Sequence, residues 1–205
     1  MTRLALIVLC LAAAACAKPE TPLPPGATAP AAAASSGATG SLAGVVRAAG
    51  TAVVVLEPKS ARTFPPPDEM PVMDQAGLTF GPELLLVRTG YPVEFRNSDD
   101  TLHNVRVSHE ETRTSAFNVA IPTGESFTYT FGQDGFYRVG CDIHPAMAAS
   151  VFAAASPFTM LTGSDGRFTF AGVPAGAWMV TVYTDGKRLQ KDVEITGGVT
   201  NVDME

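Results

Sequence analysis

From residue 41 onward, the chain is dominated by short stretches in which apolar and polar residues alternate. Alternation at a period of two is typical of strands that turn one face to a core. The clearest examples are Val93, Phe95, Phe127, Tyr129, Phe131, Tyr137, Val139 and Cys141. Turn dipeptides such as Asp134-Gly135 and Asp165-Gly166 separate the stretches, and no amphipathic helical pattern competes with them. We therefore predict an all-β fold of antiparallel β-sandwiches.

The first residues show a different pattern. Arg3 precedes an apolar run over residues 4–15 that is too short to span a bilayer and ends in small side chains, which is typical of a signal peptide. The segment Ala13-Ala14-Ala15-Cys16 resembles a bacterial lipobox, so we predict that Cys16 is acylated. The alternative is ordinary cleavage near Ala15. The expected location is the periplasmic face of a bacterial membrane, with the outer membrane favoured, or the soluble periplasm.

Residues 16–40 consist mostly of Ala, Pro, Gly, Ser and Thr. Such a segment cannot bury enough apolar surface to offset the entropy of ordering it, so we predict a disordered linker. The formal charge of −6 provides no basic surface, which argues against nucleic acid as a partner. Contact with a membrane is expected only through the lipid anchor.

The folded part divides into two predicted domains. Residues 76–153 contain the candidate metal ligands described below. Residues 158–205 resemble a carboxypeptidase regulatory-like, or transthyretin-like, β-sandwich, on the basis of Asp165-Gly166-Arg167-Phe168, Val173-Pro174-Ala175-Gly176 and the alternating Trp178, Val180 and Val182.

The segment 158–205 is short for a sandwich of about seven strands. We therefore hypothesise that residues 41–58 supply its first strands and that the metal module is inserted between the two parts. In the rival interpretation, the apolar stretch 53–56 pairs inside the metal module. Residues 62–71, which include Pro65-Pro66-Pro67, are predicted to be an exposed connection in both cases.

Cysteine use narrows the chemistry. Cys10 leaves with the signal peptide and Cys16 is acylated, so Cys141 is the only thiol expected in the folded part. A disulfide is then impossible, although the compartment is oxidising. Metal binding would protect such a lone thiol.

Four side chains have the types and spacing of a copper site. Cys141 follows a predicted strand, and His144 and Met147 follow it in a loop that Pro145 stiffens, while His103 precedes the strand at 105–107. One thiolate, two imidazoles and a weak axial thioether are the ligands of a mononuclear blue-copper centre. We predict one copper ion at His103, Cys141, His144 and Met147. By contrast, His109 is interpreted as a solvated loop residue that binds no metal.

At these motifs the chain resembles the cupredoxin (plastocyanin/amicyanin-like) family. The matching elements are Leu102-His103-Asn104-Val105, the short Cys-x₂-His-x₂-Met loop with Pro145, and the strand-turn-strand over 78–97. The resemblance implies a Greek-key β-sandwich. It also implies that Asn104 joins the two ligand loops by hydrogen bonds and so orients the ligands.

The function that the resemblance implies is single-electron transfer by Cu(II)/Cu(I) cycling, not catalysis. A transient redox protein partner is expected to dock near His144, on the apolar surface of Pro145, Ala146 and Ala148. The alternatives are a copper carrier or buffer, and a cell-surface interaction module with a structural copper ion. A multicopper oxidase is excluded because the chain has only 3 histidines. A Cys–His nucleophile pair is disfavoured because a third, orienting group is lacking.

Overall fold

A computed structural model describes residues 37–48 and 50–205, and the regular structure in these residues is entirely β-strand. The predicted all-β class is therefore confirmed. The predicted signal peptide, Cys16 and most of the predicted linker lie outside the described residues. No helix among those described is long and apolar enough to cross a membrane.

The strands of the described part follow the alternating stretches of the sequence. In chain order they are β1 (Thr39–Val46), β2 (Val53–Pro58), β3 (Val72–Ala76), β4 (Thr79–Gly81), β5 (Leu84–Arg88), β6 (Pro92–Asn97), β7 (His103–His109), β8 (Ser115–Ile121), β9 (Ser126–Thr130), β10 (Gly135–Gly140), β11 (Ala148–Ala154), β12 (Thr159–Leu161), β13 (Arg167–Pro174), β14 (Gly176–Thr184), β15 (Lys187–Ile195) and β16 (Val199–Met204). The first strand begins at Thr39, inside the segment predicted as linker.

The metal module is a sandwich of two sheets. One sheet has the order β5-β11-β10-β7-β8 and the other the order β4-β3-β6-β9. This sandwich begins earlier than the predicted boundary at residue 76, because β3 pairs in parallel with β6. The sequence pattern did not predict β3, because one of its two inward-facing side chains is polar. Met73 and Gln75 are both fully buried.

The second sandwich consists of the sheets β13-β1-β16 and β12-β2-β14-β15. Val53 lies opposite Leu161 on β12 and Tyr183 on β14, and Val55 lies opposite Thr159 and Thr181. The sheet neighbours of β2 therefore lie in the segment 158–205, and the metal module is inserted between β2 and β12. The likeness of this sandwich to transthyretin-like domains stays a prediction.

The two sandwiches pack face to face through the sheets that contain β2 and β11. Val53 and Val55 form a shared apolar cluster with Phe152 and Ala154. The ring centroids of Phe152 and Tyr183 lie 5.1 Å apart across this junction. Four sheets are thus stacked. This explains why the first four residues of β2, 53–56, are all apolar: both faces of the strand are buried there.

The connection over 62–71 is less exposed than predicted. Phe64 packs against Phe158 and Trp178, with ring centroids 5.9 Å and 6.3 Å away. Arg62 donates a hydrogen bond from Nη2 to the carbonyl of Ala175 (2.7 Å) and lies over the Trp178 ring. The prediction was wrong for these two side chains because they cover a tryptophan at the end of the second sandwich's core.

Candidate metal centre

Strand pairing brings three of the predicted ligands together. His103 is the first residue of β7, and Cys141 directly follows β10. These strands are antiparallel neighbours, and the last residue of β10, Gly140, pairs with Arg106 of β7. The start of β7, with His103, and the end of β10, followed by Cys141, therefore lie at the same end of the sheet. His144 lies in the loop between β10 and β11. The donor atoms of His103, Cys141 and His144 all lie within 4.8 Å of one another.

The distances between these donors fit a single small metal ion. The two Nδ1 atoms of His103 and His144 lie 3.0 Å apart. Sγ of Cys141 lies 3.9 Å from Nδ1 of His103 and 4.0 Å from that of His144. Donors bound to one ion at about 2.0 Å (nitrogen) and 2.3 Å (sulfur) lie roughly 3–4 Å apart. A thiolate with two imidazoles is a donor set that suits copper.

The centre is shielded from water on most sides. His103 is 0% exposed and Cys141 is 3% exposed, whereas His144 is half-buried. Met147 is buried in the same apolar cluster as Cys141. The loop closes on itself, because the Met147 N–H donates to the carbonyl of His144 (2.9 Å) and the Cys141 N–H to the carbonyl of Met147 (3.3 Å).

Asn104 connects β7 to the ligand loop. Its Oδ1 lies 3.3 Å from Sγ of Cys141 and accepts a hydrogen bond from the Asp142 N–H at 2.7 Å. Its Nδ2 donates to Asn118 (2.8 Å) and to the Asp142 carboxylate (3.2 Å). The amide thus has partners on both sides and makes the contacts that the family resemblance implies.

The sequence analysis did not single out Asp142. Its Oδ1 accepts a hydrogen bond from Nε of Arg106 at 2.7 Å, and its Oδ2 accepts one from Asn118 at 3.1 Å. Arg106, together with Asn118, holds the pKa of this carboxyl below its usual value. The ion pair fixes the residue that follows Cys141 to the neighbouring strand.

Asp99 is a second acidic residue that the sequence analysis missed. Its Oδ2 lies 2.8 Å from Nε2 of His103, the ring nitrogen on the far side from Cys141. The backbone N–H of Leu78, followed by His103, holds the pKa of Asp99 below its usual value. A sequence signal existed: an acidic residue precedes a candidate histidine ligand by four positions.

His109 is not the solvated loop residue that the sequence predicted. It ends β7 and is 2% exposed. Nδ1 accepts a hydrogen bond from the Thr112 N–H (3.2 Å), Nε2 lies 3.1 Å from the carbonyl of Asp134, and the ring packs edge-on against Tyr137. The flanking Glu110 and Glu111 made it look exposed. It is not part of the cluster of metal donors.

The surface around the loop is apolar. Pro145, Ala146 and Ala148 are exposed. The structure adds Leu102 (48% exposed) and Ile143 (46% exposed), which precede His103 and His144. The sequence analysis missed both, although large apolar residues beside two candidate ligands in loops were a usable signal.

Comparison with known proteins assigns the metal module. Residues 69–153 match the model of the copper binding proteins, plastocyanin/azurin family. This segment is therefore a cupredoxin domain, and copper is the cofactor of such domains. No curated protein matches the chain.

Similar solved structures include three of amicyanin. An oxidized mutant with a proline replaced by alanine is 24% identical, covering 43% of this chain and 85% of that one, with a TM-score of 0.39. A reduced mutant with a tryptophan replaced by tyrosine is 21% identical, covering 50% and 98%, with a TM-score of 0.39. Amicyanin from Paracoccus versutus is 19% identical, covering 43% and 84%, with a TM-score of 0.38.

Proposed function

We propose that this protein is a type 1 (blue) copper protein that carries single electrons by Cu(II)/Cu(I) cycling. The supporting observation is the cluster formed by the buried His103 and Cys141 with the half-buried His144, whose donor atoms lie 3.0–4.0 Å apart. These residues, together with Met147, would hold the ion. When bound, copper would supply a one-electron couple.

The surroundings of the cluster suit electron transfer because they restrict movement. His103 and Cys141 are attached to paired strands, and Asn104 ties the ligand loop to β7. A site whose donors are fixed in advance changes little between the two oxidation states of its metal. Pro145 limits the remaining freedom of the loop.

The half-buried ring of His144 is the proposed point at which electrons enter and leave. The exposed apolar side chains beside it, Pro145, Ala146, Leu102 and Ile143, form the proposed docking surface for a redox protein. Small contacts of this kind are usually transient, as an electron carrier requires. The proposed role is that of an electron carrier and not of an enzyme.

The spectrum of the copper-loaded protein tests this proposal. We expect an intense thiolate-to-copper band in the visible region, which the Cys141→Ser substitution abolishes. His109→Gln is the matched control, because His109 is buried but lies outside the donor cluster, and this variant should keep the band. A band that survives Cys141→Ser would overturn the assignment.

Copper carriage is the alternative that the burial of the site disfavours. An ion enclosed by buried donors leaves slowly, whereas a carrier must release its metal. Rapid transfer of copper to a chelator without reduction would favour carriage. A surface interaction module is the other alternative, and partner binding that persists in His144→Ala would favour it.

Export is also part of the proposal. The lipobox-like segment ending at Cys16 and the Ala/Pro-rich linker support a lipoprotein tethered to the periplasmic face of a bacterial membrane, by preference the outer membrane. The protein should fractionate with membranes, and Cys16→Ser should release it. Equal fractionation of both forms would contradict acylation and favour a soluble periplasmic protein.

A further inference from the structure

Asp99 contacts His103, one of the metal donors, at the ring nitrogen that faces away from the other donors. It belongs to the loop between β6 and β7, and its Oδ2 is 2.8 Å from Nε2 of His103. His103 is fully buried, and its other ring nitrogen, Nδ1, is the one that lies near Cys141 and His144. A carboxylate can only accept a hydrogen bond, so in this contact Nε2 carries the proton, and in the neutral ring Nδ1 then keeps its lone pair.

A tight turn holds the carboxylate in place. The two residues that join β3 to β4, Gly77 and Leu78, have φ angles of 62° and 58°, as in a type I′ hairpin turn. Both of their N–H groups donate to Asp99, Gly77 to Oδ1 at 2.5 Å and Leu78 to Oδ2 at 3.0 Å. The oxygen that Leu78 contacts is the one that contacts His103.

The backbone conformation of Leu78 is strained, and the packing of its side chain does not compensate for the strain. A bulky residue at positive φ is strained, and this side chain is 52% exposed. Such strain persists where the surroundings impose it, commonly beside a functional site. Here, the hydrogen bonds to Asp99 are what the turn provides.

The loop itself is anchored from the other side. The Asp99 N–H donates to Oδ1 of Asn97 at 3.0 Å. Asn97 is fully buried, and its Nδ2 donates to the carbonyls of Thr101 and Ile121, both at 2.8 Å. In addition to its contact with His103, Asp99 is thus held by three hydrogen bonds: those from the N–H groups of Gly77 and Leu78, and the one from its own N–H to Asn97.

We propose that Asp99 is a positioning residue that holds His103 in the tautomer with the proton on Nε2, and that its negative charge makes Nδ1 a stronger donor, which favours Cu(II) over Cu(I). Carboxylate–histidine–metal arrangements of this kind orient the ring and raise the basicity of the ligand. The copper part of this inference rests on the proposed function, whereas the tautomer part does not.

The test compares Asp99→Asn with Asp100→Asn. Both variants remove one negative charge, from adjacent residues, but Asp100 is exposed and has no side-chain hydrogen bond in the described structure. Nitrogen NMR of the metal-free protein at about pH 8, above the ordinary pKa of an imidazole, reports the tautomer of His103. We expect the Nε2–H form alone in the wild type and in Asp100→Asn, and a mixture of tautomers in Asp99→Asn.

In the copper-loaded proteins, Asp99→Asn should raise the reduction potential above that of Asp100→Asn and weaken Cu(II) binding about tenfold. Equal potentials in the two variants would overturn the role of Asp99 toward copper. A wild type in which His103 carries its proton on Nδ1 would overturn the tautomer assignment, even if Asp99→Asn does not fold. If the wild type binds no copper, the proposed function fails, and the NMR comparison still decides the tautomer.

Discussion

The side-chain oxygen of Asn104 lies 3.3 Å from Sγ of Cys141, although 37 residues separate them in the chain. The same oxygen accepts a hydrogen bond from the N–H of Asp142 at 2.7 Å. Asn104 lies on β7, and Cys141 and Asp142 directly follow β10, its neighbour in the sheet. One amide group thus couples the thiol to the interior of the sandwich. The position of the thiol is set by the sheet and not by the loop alone.

Replacing Asn104 with alanine should loosen the site. The partly buried Asp142 N–H loses its partner. Leaving a buried polar group unsatisfied costs about 1–3 kcal/mol, so the free energy of unfolding should fall by at most that amount. Copper affinity should fall about 10–100-fold, as for other groups that orient metal ligands. Urea unfolding of the metal-free protein and competition with a chelator measure the two effects.

Asn118→Ala is the control for Asn104→Ala. Asn118 is exposed, donates to Asp142 and accepts a hydrogen bond from Asn104, but has no hydrogen bond to Cys141. This variant should change copper affinity far less. If the two variants weaken copper binding equally, Asn104 acts through its hydrogen bonds with Asn118 and Asp142 and not on the thiol.

Replacing His109 with alanine should affect stability and not copper. The ring is buried, both of its nitrogens have backbone partners, and it packs against Tyr137. Leaving the Thr112 N–H and the Asp134 carbonyl without these contacts should lower the free energy of unfolding by about 1–3 kcal/mol. The visible band should be unchanged. Loss of the band with unchanged stability would instead indicate that His109 is a ligand.

The parts of the structure that follow from local pattern were predictable. Cys141, His144 and Met147 are within one loop, and the alternation that ends at Cys141 places it at the end of a strand. The approach of His103 depends on pairing between β7 and β10, which the sequence indicates only through the family resemblance. Asp142 could not be found from local pattern, because its partners Arg106 and Asn118 are distant in sequence. Asp99 did have a local signal, its spacing of four positions from His103, which the sequence analysis did not use.

Two of the three misjudged residues are polar side chains that are buried, and the third is an apolar side chain in a stretch without a pattern. Gln75 and His109 are polar and buried, so their strands did not show clean alternation. Phe64 lies in a proline-rich stretch that has no period, and only its contact with Trp178 explains why it is covered. A sequence pattern reflects the average tendency of a side chain to be buried or exposed, whereas the burial of these three side chains depends on their specific partners.

Replacing Phe152 with alanine should weaken both sandwiches together. Phe152 is buried at the junction, with its ring centroid 4.7 Å from that of Phe136 and 5.1 Å from that of Tyr183. Truncating a buried phenylalanine costs about 3–5 kcal/mol. The single tryptophan, Trp178, is a fluorescent reporter in the second sandwich, and the copper band is a reporter in the first.

We expect both reporters to show the same guanidinium midpoint in the wild type, and a lower shared midpoint in Phe152→Ala. Tyr183→Phe, which keeps the ring at the junction, is the control and should change the midpoint little. Separate midpoints for the two reporters in the wild type would show that the sandwiches unfold independently and that the junction contributes little.

Asp74 makes the stability of the cupredoxin domain sensitive to acid. Its Oδ2 accepts hydrogen bonds from Nη2 of Arg96 and Oγ of Ser98, both at 2.9 Å. Burial acts to raise the pKa of this carboxyl, but the contacts with Arg96 and Ser98 outweigh it and hold the pKa below its usual value. A folded-state pKa below the unfolded one means that the ionised group stabilises the fold above about pH 4, and that this contribution is lost as the pH falls through the folded-state value.

Asp74→Asn should therefore be less stable than the wild type near neutral pH, and the difference should shrink as the pH is lowered from about 6 to about 3. Urea unfolding across this pH range measures the difference in stability. The metal-free protein is used so that metal binding does not add to the pH dependence of any variant. Asp68→Asn, which removes the same charge from an exposed residue of the connection, is the control and should follow the wild type. Wild-type and Asp74→Asn curves that stay parallel down to about pH 3 would show that the Asp74–Arg96 contact does not contribute to stability.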